Sequence, residues 1–148
     1  MGMIAVIMVD EWYSSLPKMD RIYRIIEKTM DDRSPKERIW AVVALGNSGD
    51  PRAVRSLIDC CKDQDPEIRL RAIEGLQKLR SGRAVDVLID RLRDKEELPE
   101  TRQRAAAALA DIRSYSAIQE LRIRNADTDE DGALRSFIGG ELDRVQLW

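Results

Sequence analysis

Apolar side chains recur along most of the chain at spacings of three or four residues, and this pattern breaks and restarts at regular intervals. In residues 34–64 the apolar positions run through Ala41 and Leu45, stop, and resume at Val54 and Leu57. Such spacing is typical of a helix that is buried along one side. Each block therefore predicts one helix, and two successive blocks predict a helical pair.

The paired blocks repeat along the sequence. Three units align without gaps on a proline near the start of each, and a truncated fourth unit carries glycine at that position. The units are residues 34–64, 65–97, 98–130 and 131–148, aligned on Pro35, Pro66, Pro99 and Gly132. Arginine, alanine and leucine columns follow this position: Arg38, Arg69, Arg102 and Arg135; Ala41, Ala72, Ala105 and Ile138; Leu45, Leu76, Leu109 and Leu142. One helical pair cannot bury its apolar side alone, so the units are expected to stack into a solenoid.

The break inside the first unit reads GNSGDPRAV, residues 46–54. A phosphate loop of the P-loop type needs a lysine after its second glycine, and this stretch has none. We interpret it instead as a corner between two helices. Either Gly46 or Gly49 ends the first helix in a left-handed conformation. Asp50 then caps the second helix, and Pro51 occupies its first position.

Other residues predict how the helices begin and how closely they pack. Ser34 and Asp65 directly precede the prolines of their units and are predicted N-caps. Ala44, Gly75 and Ala108 form a column of small residues, which predicts a close approach between neighbouring helices.

The two ends are expected to cap the stack. Residues 1–33 are interpreted as a degenerate unit, in which residues 18–30 form an amphipathic helix and residues 3–9 form either a helix or a short strand. Trp40 stands in a column that carries arginine in later units, so it is expected to cover the seam with this N-terminal pair. The other end is expected to finish on Phe137, Leu142, Leu147 and Trp148.

The repeated columns resemble a known family. An arginine followed by alanine and leucine, then a G-x-x-G-D-P-R-A-V corner and a second helix, is similar to the HEAT-like repeat of the phycobilisome (PBS) lyase type. Residues 34–126 and the half unit to 148 match this pattern, and the first unit carries it in Arg38, Ala41, Leu45, Gly46, Gly49, Asp50, Pro51, Ala53, Val54 and Leu57. The resemblance implies an all-α fold, an α-α superhelix of the armadillo/HEAT-like solenoid class, with residues 1–148 as a single domain. It also implies that the second helices line the concave surface.

The composition narrows the classes of function. Charged residues make up 35% of the chain, but 25 Lys plus Arg against 27 Asp plus Glu leave a formal charge of -2, so no nucleic-acid partner is expected. Histidine is absent, which excludes Ser-His and Cys-His catalysis and histidine-containing metal sites. The apolar run at residues 3–9 is too short to span a bilayer, so no membrane partner is expected.

Two short stretches carry candidate chemistry. Cys60 and Cys61 supply neither a disulfide framework nor a four-thiolate metal site, and they favour a reducing cytoplasm, with Cys61 in the core and Cys60 half exposed. Residues 127–132, DTDEDG, have the spacing of a calcium loop, but Ile138 stands where the closing glutamate belongs. An acidic linker and helix start is therefore favoured over a weak calcium site, and no cofactor or metal is predicted.

The arginine column predicts a structural ladder. Its members lie in the first turn of a helix, where the helix dipole disfavours a cation. We expect carboxylates such as Asp65, Glu67 and Asp131, and others in adjacent units, to offset this effect in a salt-bridge ladder between repeats. The ladder residues are Arg38, Arg69, Arg102 and Arg135.

The outward side of the second helices is the remaining candidate site. It carries Arg52, Arg55, Asp59, Arg83, Asp86, Asp90, Arg93, Ser116, Gln119 and Ile123. Mixed charges on a rigid wall suit recognition of a protein surface, although an ordinary solvated face has the same pattern. We expect a non-catalytic scaffold that binds another protein through this face, with self-association through the N-terminal or C-terminal cap as a further option. The alternative is a bilin-lyase-like chaperone or an accessory subunit of an enzyme complex.

Overall fold

The computed structural model describes residues 18–31 and 33–145, so the predictions for residues 3–9, Leu147 and Trp148 lie outside the described residues. All regular structure in the described part of the chain is helical, which confirms the all-α prediction. The helices are α1 (Lys18–Thr29), α2 (Pro35–Asn47), α3 (Ala53–Cys60), α4 (Pro66–Leu79), α5 (Val85–Arg93), α6 (Pro99–Ile112), α7 (Tyr115–Ala126) and α8 (Gly132–Val145), and a short 3₁₀ turn (Gly82–Ala84) precedes α5.

The helices form two layers. The first helices of the units, α2, α4, α6 and α8, pack side by side in chain order. The second layer contains α1, α3, α5 and α7, and each of these helices packs against the first helix that follows it in the chain. The inward sides of both layers share one core, in which the repeated alanine and leucine columns are buried. The result is the α-α superhelix that the repeat pattern predicts.

The first helices begin as the sequence predicts. The Ser34 side chain accepts a hydrogen bond from the N–H of Glu37 at 3.4 Å, and the Asp65 side chain accepts one from the N–H of Glu67 at 2.9 Å. Both predicted N-caps are therefore present. In the third unit Leu98 occupies the N-cap position of α6 and supplies no side-chain hydrogen bond.

A left-handed residue follows the first helix in each of three units. Gly49 has φ 64°, so the helix end falls at the second of the two glycines proposed for it. Arg80 and Arg113 occupy the same column and are left-handed as well, with φ of 49° and 58°. Asp50 accepts a hydrogen bond from the N–H of Arg52 at 2.9 Å, which caps the following turn.

The predicted start of the second helix in this corner needs correction. Pro51 lies in a turn, and α3 begins two residues later, at Ala53. The Asp50 hydrogen bond to Arg52 shapes this turn, so the fixed φ of Pro51 belongs to the turn before the helix and not to its first helical residue.

The close approach of neighbouring first helices occurs at Gly46 and Gly75. A Cβ atom on Gly46 would lie 2.7 Å from the Cα of Gly75, a distance that two packed carbon atoms do not reach. Gly46 lies inside α2 and makes this backbone contact with α4. Gly75 was predicted to allow close packing, whereas its partner in the first unit is Gly46 and not Ala44.

The described ends of the stack are partly covered. Trp40 is half buried and packs against the core, and α2, the helix that carries it, packs against α1. At the other end Leu142 is buried and Phe137 is half buried. Among the described helices, none combines the length and the apolar content needed to cross a bilayer.

Candidate functional site

The arginine column forms ion pairs near the seams between units. Three of its members each pair with a carboxylate close to the end of their own unit, and two of these pairs are bidentate. The pairs are Arg38 with Asp63, Arg69 with Glu97 (2.7 and 2.8 Å), and Arg102 with Glu130 (2.9 and 2.8 Å). We call this set the inner ladder.

The expected partners need correction, because each carboxylate of the inner ladder belongs to the same unit as its arginine, and none is Asp65, Glu67 or Asp131. Asp65 and Asp131 cap the starts of α4 and α8, where they accept backbone N–H groups from Glu67 and Leu134. Glu67 pairs with Arg71 on its own helix. A carboxylate at the N-cap accepts the N–H groups of its own helix. The ladder arginines therefore pair with carboxylates that lie in the linker just before the N-cap of the next first helix.

The ladder arginines also donate to backbone carbonyls near the end of the preceding second-layer helix. At this end of a helix the carbonyls lack partners and the dipole favours a cation, which offsets the unfavourable position in the first turn. Each such arginine thereby ties two units together. The bonds run from Arg38 Nε to Thr29 O (3.1 Å), from Arg102 Nε to Leu92 O (2.9 Å) and from Arg135 Nε to Asn125 O (3.1 Å).

Two carboxylates of the inner ladder are held in the charged form. Burial raises the pKa of Glu97, but hydrogen bonds from Arg69, from the N–H of Leu98 and from Arg91 outweigh it, so the pKa lies below the ordinary value of 4.5. Hydrogen bonds from Arg102 lower the pKa of Glu130 in the same way, against an opposing effect of burial. These residues are therefore explained by structure, and they are not candidates for acid-base chemistry.

A second ladder crosses the outer surface of the first-helix layer, and the sequence did not predict it. Four of its members, Asn47, Lys78, Asp111 and Arg144, stand in one column, twelve places after the proline position, and Gln77 stands one place earlier in its unit. Lys78 donates to Asn47 at 2.6 Å, while Asp111 accepts from Gln77 at 2.8 Å and from Arg144 at 2.7 Å. The column can be aligned between units, but each unit has a different residue type in it. The sequence therefore gave no sign that these residues share a role.

The proposed binding residues lie on the second-helix layer, and most of them are exposed. Arg55, Asp59, Arg83, Asp86 and Asp90 form no side-chain hydrogen bond or ion pair within the described residues. Ser116 is exposed, Gln119 is half buried, and the Ile123 residue is 51% exposed.

Two of the predicted face residues are instead held by intramolecular contacts. Arg52 pairs with Asp50 and lies over the ring of Tyr23, 5.4 Å from its centroid. Arg93 makes a bidentate pair with the buried Glu120, at 2.8 and 2.5 Å. These contacts fix the two guanidinium groups and leave them less available to a partner than the unpaired residues.

A cleft of about 400 Å³ lies beside these residues, between α1 and α3. Tyr23, Ile26 and Met30 supply apolar lining from the α1 side, and Arg55 and Asp59 line it from α3. Tyr23 and Met30 were not predicted as binding residues, because α1 was assigned to a cap. Their signal was the presence of large apolar side chains on α1 outside the positions that its buried side requires.

Both cysteines are buried, which corrects the prediction of a half-exposed Cys60. Cys60 is 7% exposed and Cys61 is fully enclosed. Burial raises the pKa of Cys60 to about 11 and that of Cys61 to about 12. Neither thiol is therefore a reactive thiolate at neutral pH.

The acidic stretch at residues 127–132 acts as a linker and helix start. Asp127 accepts the N–H of Asp129 at 3.0 Å, Asp131 accepts the N–H of Leu134 at 2.9 Å, and Glu130 belongs to the inner ladder. Within residues 18–31 and 33–145, no group of three or more acidic or cysteine side chains is placed to hold a metal ion.

Comparison with known proteins identifies the architecture. Among solved structures, human deoxyhypusine hydroxylase in complex with glycerol is similar to this chain, with 25% sequence identity and a TM-score of 0.74. The match covers 84% of this chain and 43% of that enzyme, so this chain spans less than half of the enzyme's length. A search of curated proteins gave no match. A family model described as HEAT repeats matches residues 23–110, more than half of the chain. The chain therefore belongs to the HEAT-repeat family.

Proposed function

We propose that the chain is a non-catalytic HEAT-repeat scaffold that binds another protein through the exposed side of its second-helix layer. One observation carries this proposal: a group of charged side chains on the exposed side of the second-helix layer has no partner among the described residues. Arg71, Lys78 and Asp111 on the first-helix layer have hydrogen-bonding partners within the chain. Several charges on the second-helix layer have none among the described residues, and these are Arg55, Asp59, Arg83, Asp86 and Asp90.

Unpaired charges at fixed positions suit recognition of a protein surface. They contribute little to the stability of the chain itself, and a partner with complementary charges gains orientation from them. The adjacent cleft between α1 and α3 adds apolar surface from Tyr23 and Met30, the kind of side chain that contributes most to affinity. The mixture of signs favours a protein partner over a nucleic acid, which requires a basic surface.

The proposal also includes the type of HEAT repeat and the cellular location of the chain. The corner sequence GNSGDPRAV supports the PBS lyase type of HEAT-like repeat. Two adjacent cysteines that remain free thiols support a reducing, cytoplasmic setting. The alternative role as a bilin-lyase-like chaperone or enzyme accessory subunit is not favoured by any feature of the described residues.

Charge reversal on the second-helix layer tests the proposal. The variants Arg55→Asp, Asp59→Arg, Asp86→Arg and Asp90→Arg would each be used as bait in affinity capture from extracts of the producing organism. Lys36→Glu, an exposed reversal on the first-helix layer, serves as the matched control. We expect at least one protein to be captured by the wild type and the control and lost from the face variants. Capture that is unaffected by all four reversals would overturn the proposal.

A further inference from the structure

The first two described helices of the second-helix layer carry an exposed patch, which we call the α1–α3 patch. It consists of Tyr23 and Met30 on α1 and of Arg55 and Asp59 on α3. Tyr23 is 53% exposed and Met30 is 69% exposed. Arg55 and Asp59 are exposed too, and their side chains have no partner among the described residues. The patch therefore combines apolar surface with one unpaired positive and one unpaired negative charge.

The two helices of the patch run side by side in the same direction. In the second turn of α1 the ring of Tyr23 lies 5.4 Å from the guanidinium group of Arg52, the residue just before α3. Further along both helices, by six residues on α1 and by four residues from Arg52, Thr29 Oγ1 lies 3.2 Å from Ser56 Oγ. Contacts that advance together along both helices define a parallel pair with a fixed register.

With this register, the midpoint between Tyr23 and Met30 lies at about the same position along the helix axes as the midpoint between Arg55 and Asp59. A helix rises by about 1.5 Å per residue, so Tyr23 and Met30 lie about 10 Å apart along α1, and Arg55 and Asp59 about 6 Å apart along α3. The midpoint of each pair falls close to the contact between the helix centres, because Ile26 and Ser56 line the same cleft. A rotation by 180° about an axis crossing both helices there exchanges the two members of each pair.

We propose that the α1–α3 patch binds a second copy of this chain in a two-fold symmetric dimer. In an antiparallel arrangement, Arg55 faces Asp59 of the partner subunit, and Tyr23 faces Met30 of the partner subunit. A two-fold interface uses the same patch on both subunits, so it requires a surface that is complementary to itself. The inference deepens the proposed function and rests on it, since it assigns one end of the second-helix layer to a copy of the chain.

The next helix of the layer shows why the interface ends at α3. Asp86 and Asp90 occupy on α5 the columns that Arg55 and Asp59 occupy on α3. The same antiparallel placement would set one carboxylate against another on α5, which is repulsive. In these two columns, opposite charges stand on α3 and like charges on α5, so α5 remains for a different partner.

The size of the patch sets the expected strength of the dimer. A stable interface buries about 800 Å² on each partner, and a surface two short helices wide is smaller than this. We expect a reversible dimer that dissociates on dilution. The association is therefore measured by sedimentation equilibrium over a series of protein concentrations, with the full chain.

Exchange of the two charges provides the test. Arg55→Asp and Asp59→Arg each bring like charges together at both symmetric contacts, so we expect each to weaken dimerisation by about tenfold or more. The double variant Arg55→Asp/Asp59→Arg restores opposite charges across the axis and is expected to dimerise within about threefold of the wild type. Lys36→Glu is expected to dimerise like the wild type, and far-UV circular dichroism verifies that every variant is folded.

Several results would overturn the dimer. These are a wild type that stays monomeric at all concentrations, single reversals that dimerise normally, and a double variant that is as weak as the single ones. A protein that fails in this way but still loses a captured partner on Asp86→Arg or Asp90→Arg would refute the dimer and leave the proposed function standing. If the dimer forms while no partner depends on the α5 residues, the proposed binding of another protein fails instead.

Discussion

Glu97 shows how a charged side chain is held inside the stack. Its carboxylate accepts hydrogen bonds from Arg69, from Arg91 and from the N–H of Leu98. Buried ionic groups contribute little net stability when paired, but leaving one of them without its partner is strongly unfavourable. The end of the second unit therefore depends strongly on this one carboxylate.

Replacing Glu97 with glutamine is expected to lower the free energy of unfolding by about 2 to 3 kcal/mol, because Arg69 and Arg91 lose their counter-charge and keep only a neutral acceptor. Urea denaturation at neutral pH measures this change. Glu96→Gln is the matched control, since Glu96 is the exposed neighbour, and its effect is expected to stay within about 0.5 kcal/mol. Equal losses in the two variants would contradict the assigned role.

The C-terminal end of each first helix depends on the conformation of one residue. Each end needs a left-handed residue in the same column, and glycine fills it only in the first unit, at Gly49. Arg80 and Arg113 adopt this conformation with a full side chain, which a residue other than glycine adopts only at some energetic cost. At these two helix ends, a glycine would therefore give a more stable protein with the same fold.

Arg113→Gly is expected to raise the free energy of unfolding by about 0.5 to 1 kcal/mol, because glycine adopts the left-handed conformation without strain. Thermal or urea denaturation measures the gain. Arg122→Gly provides the comparison: Arg122 is exposed within α7, and there glycine is expected to lower stability by about 1 kcal/mol. A loss of stability in both variants would argue against strain at Arg113.

Gly46→Ala tests the close contact between α2 and α4. The added methyl group would press on the backbone at Gly75, so we expect a net loss of about 1 to 2 kcal/mol despite the better helix propensity of alanine. Gly140→Ala, in α8, adds the same group where no atom lies within 4 Å, and is expected to gain up to about 1 kcal/mol. The difference between the two urea midpoints is the readout, and similar gains at both sites would refute the contact.

The helices, their order and two of their N-caps could be predicted from the sequence. Their signals, hydrophobic periodicity and a Ser or Asp before proline, are local. The contact of Gly46 with Gly75 and the left-handed Arg113 could not be read in the same way. The first depends on how two distant helices cross. The second gives no signal, because arginine has no preference for that conformation.

The whole molecule is held together by its two layers and by ladders that cross the seams. Of these, the inner ladder could be predicted in part, since four arginines in one column indicate a shared role. Their partners could not, because Asp63, Glu97 and Glu130 do not share one aligned position. The binding face was proposed from its charges, whereas the apolar part of the α1–α3 patch depends on which side of α1 is left uncovered.

The inner ladder predicts how the whole stack responds to acid. Glu97 and Glu130 have folded-state pKa values below 4.5, so they stabilise the fold above the unfolded value and lose that contribution as the pH falls through their lower folded values. We expect the urea midpoint of the wild type to drop as the pH is lowered from 5 towards 3, as protons begin to favour the unfolded chain. Glu97→Gln is expected to show a shallower drop and Glu96→Gln the same drop as the wild type. Parallel curves for wild type and Glu97→Gln would contradict the prediction.

The spacing of the inner ladder also defines a natural module for lengthening the protein. In the second and third units an arginine and its glutamate are 28 residues apart, and both lie within one unit. A copied segment from Asp65 to Glu97 therefore carries both halves of its ion pair, and its arginine also donates to carbonyls of the linker before it, as Arg69 does to Asp63 and Gln64. Duplication in this frame adds a repeat and keeps Arg69 with Glu97, whereas a cut between Arg69 and Glu97 separates the two. A tandem copy is therefore expected to fold when its boundaries keep each ladder arginine and its glutamate in the same copied segment.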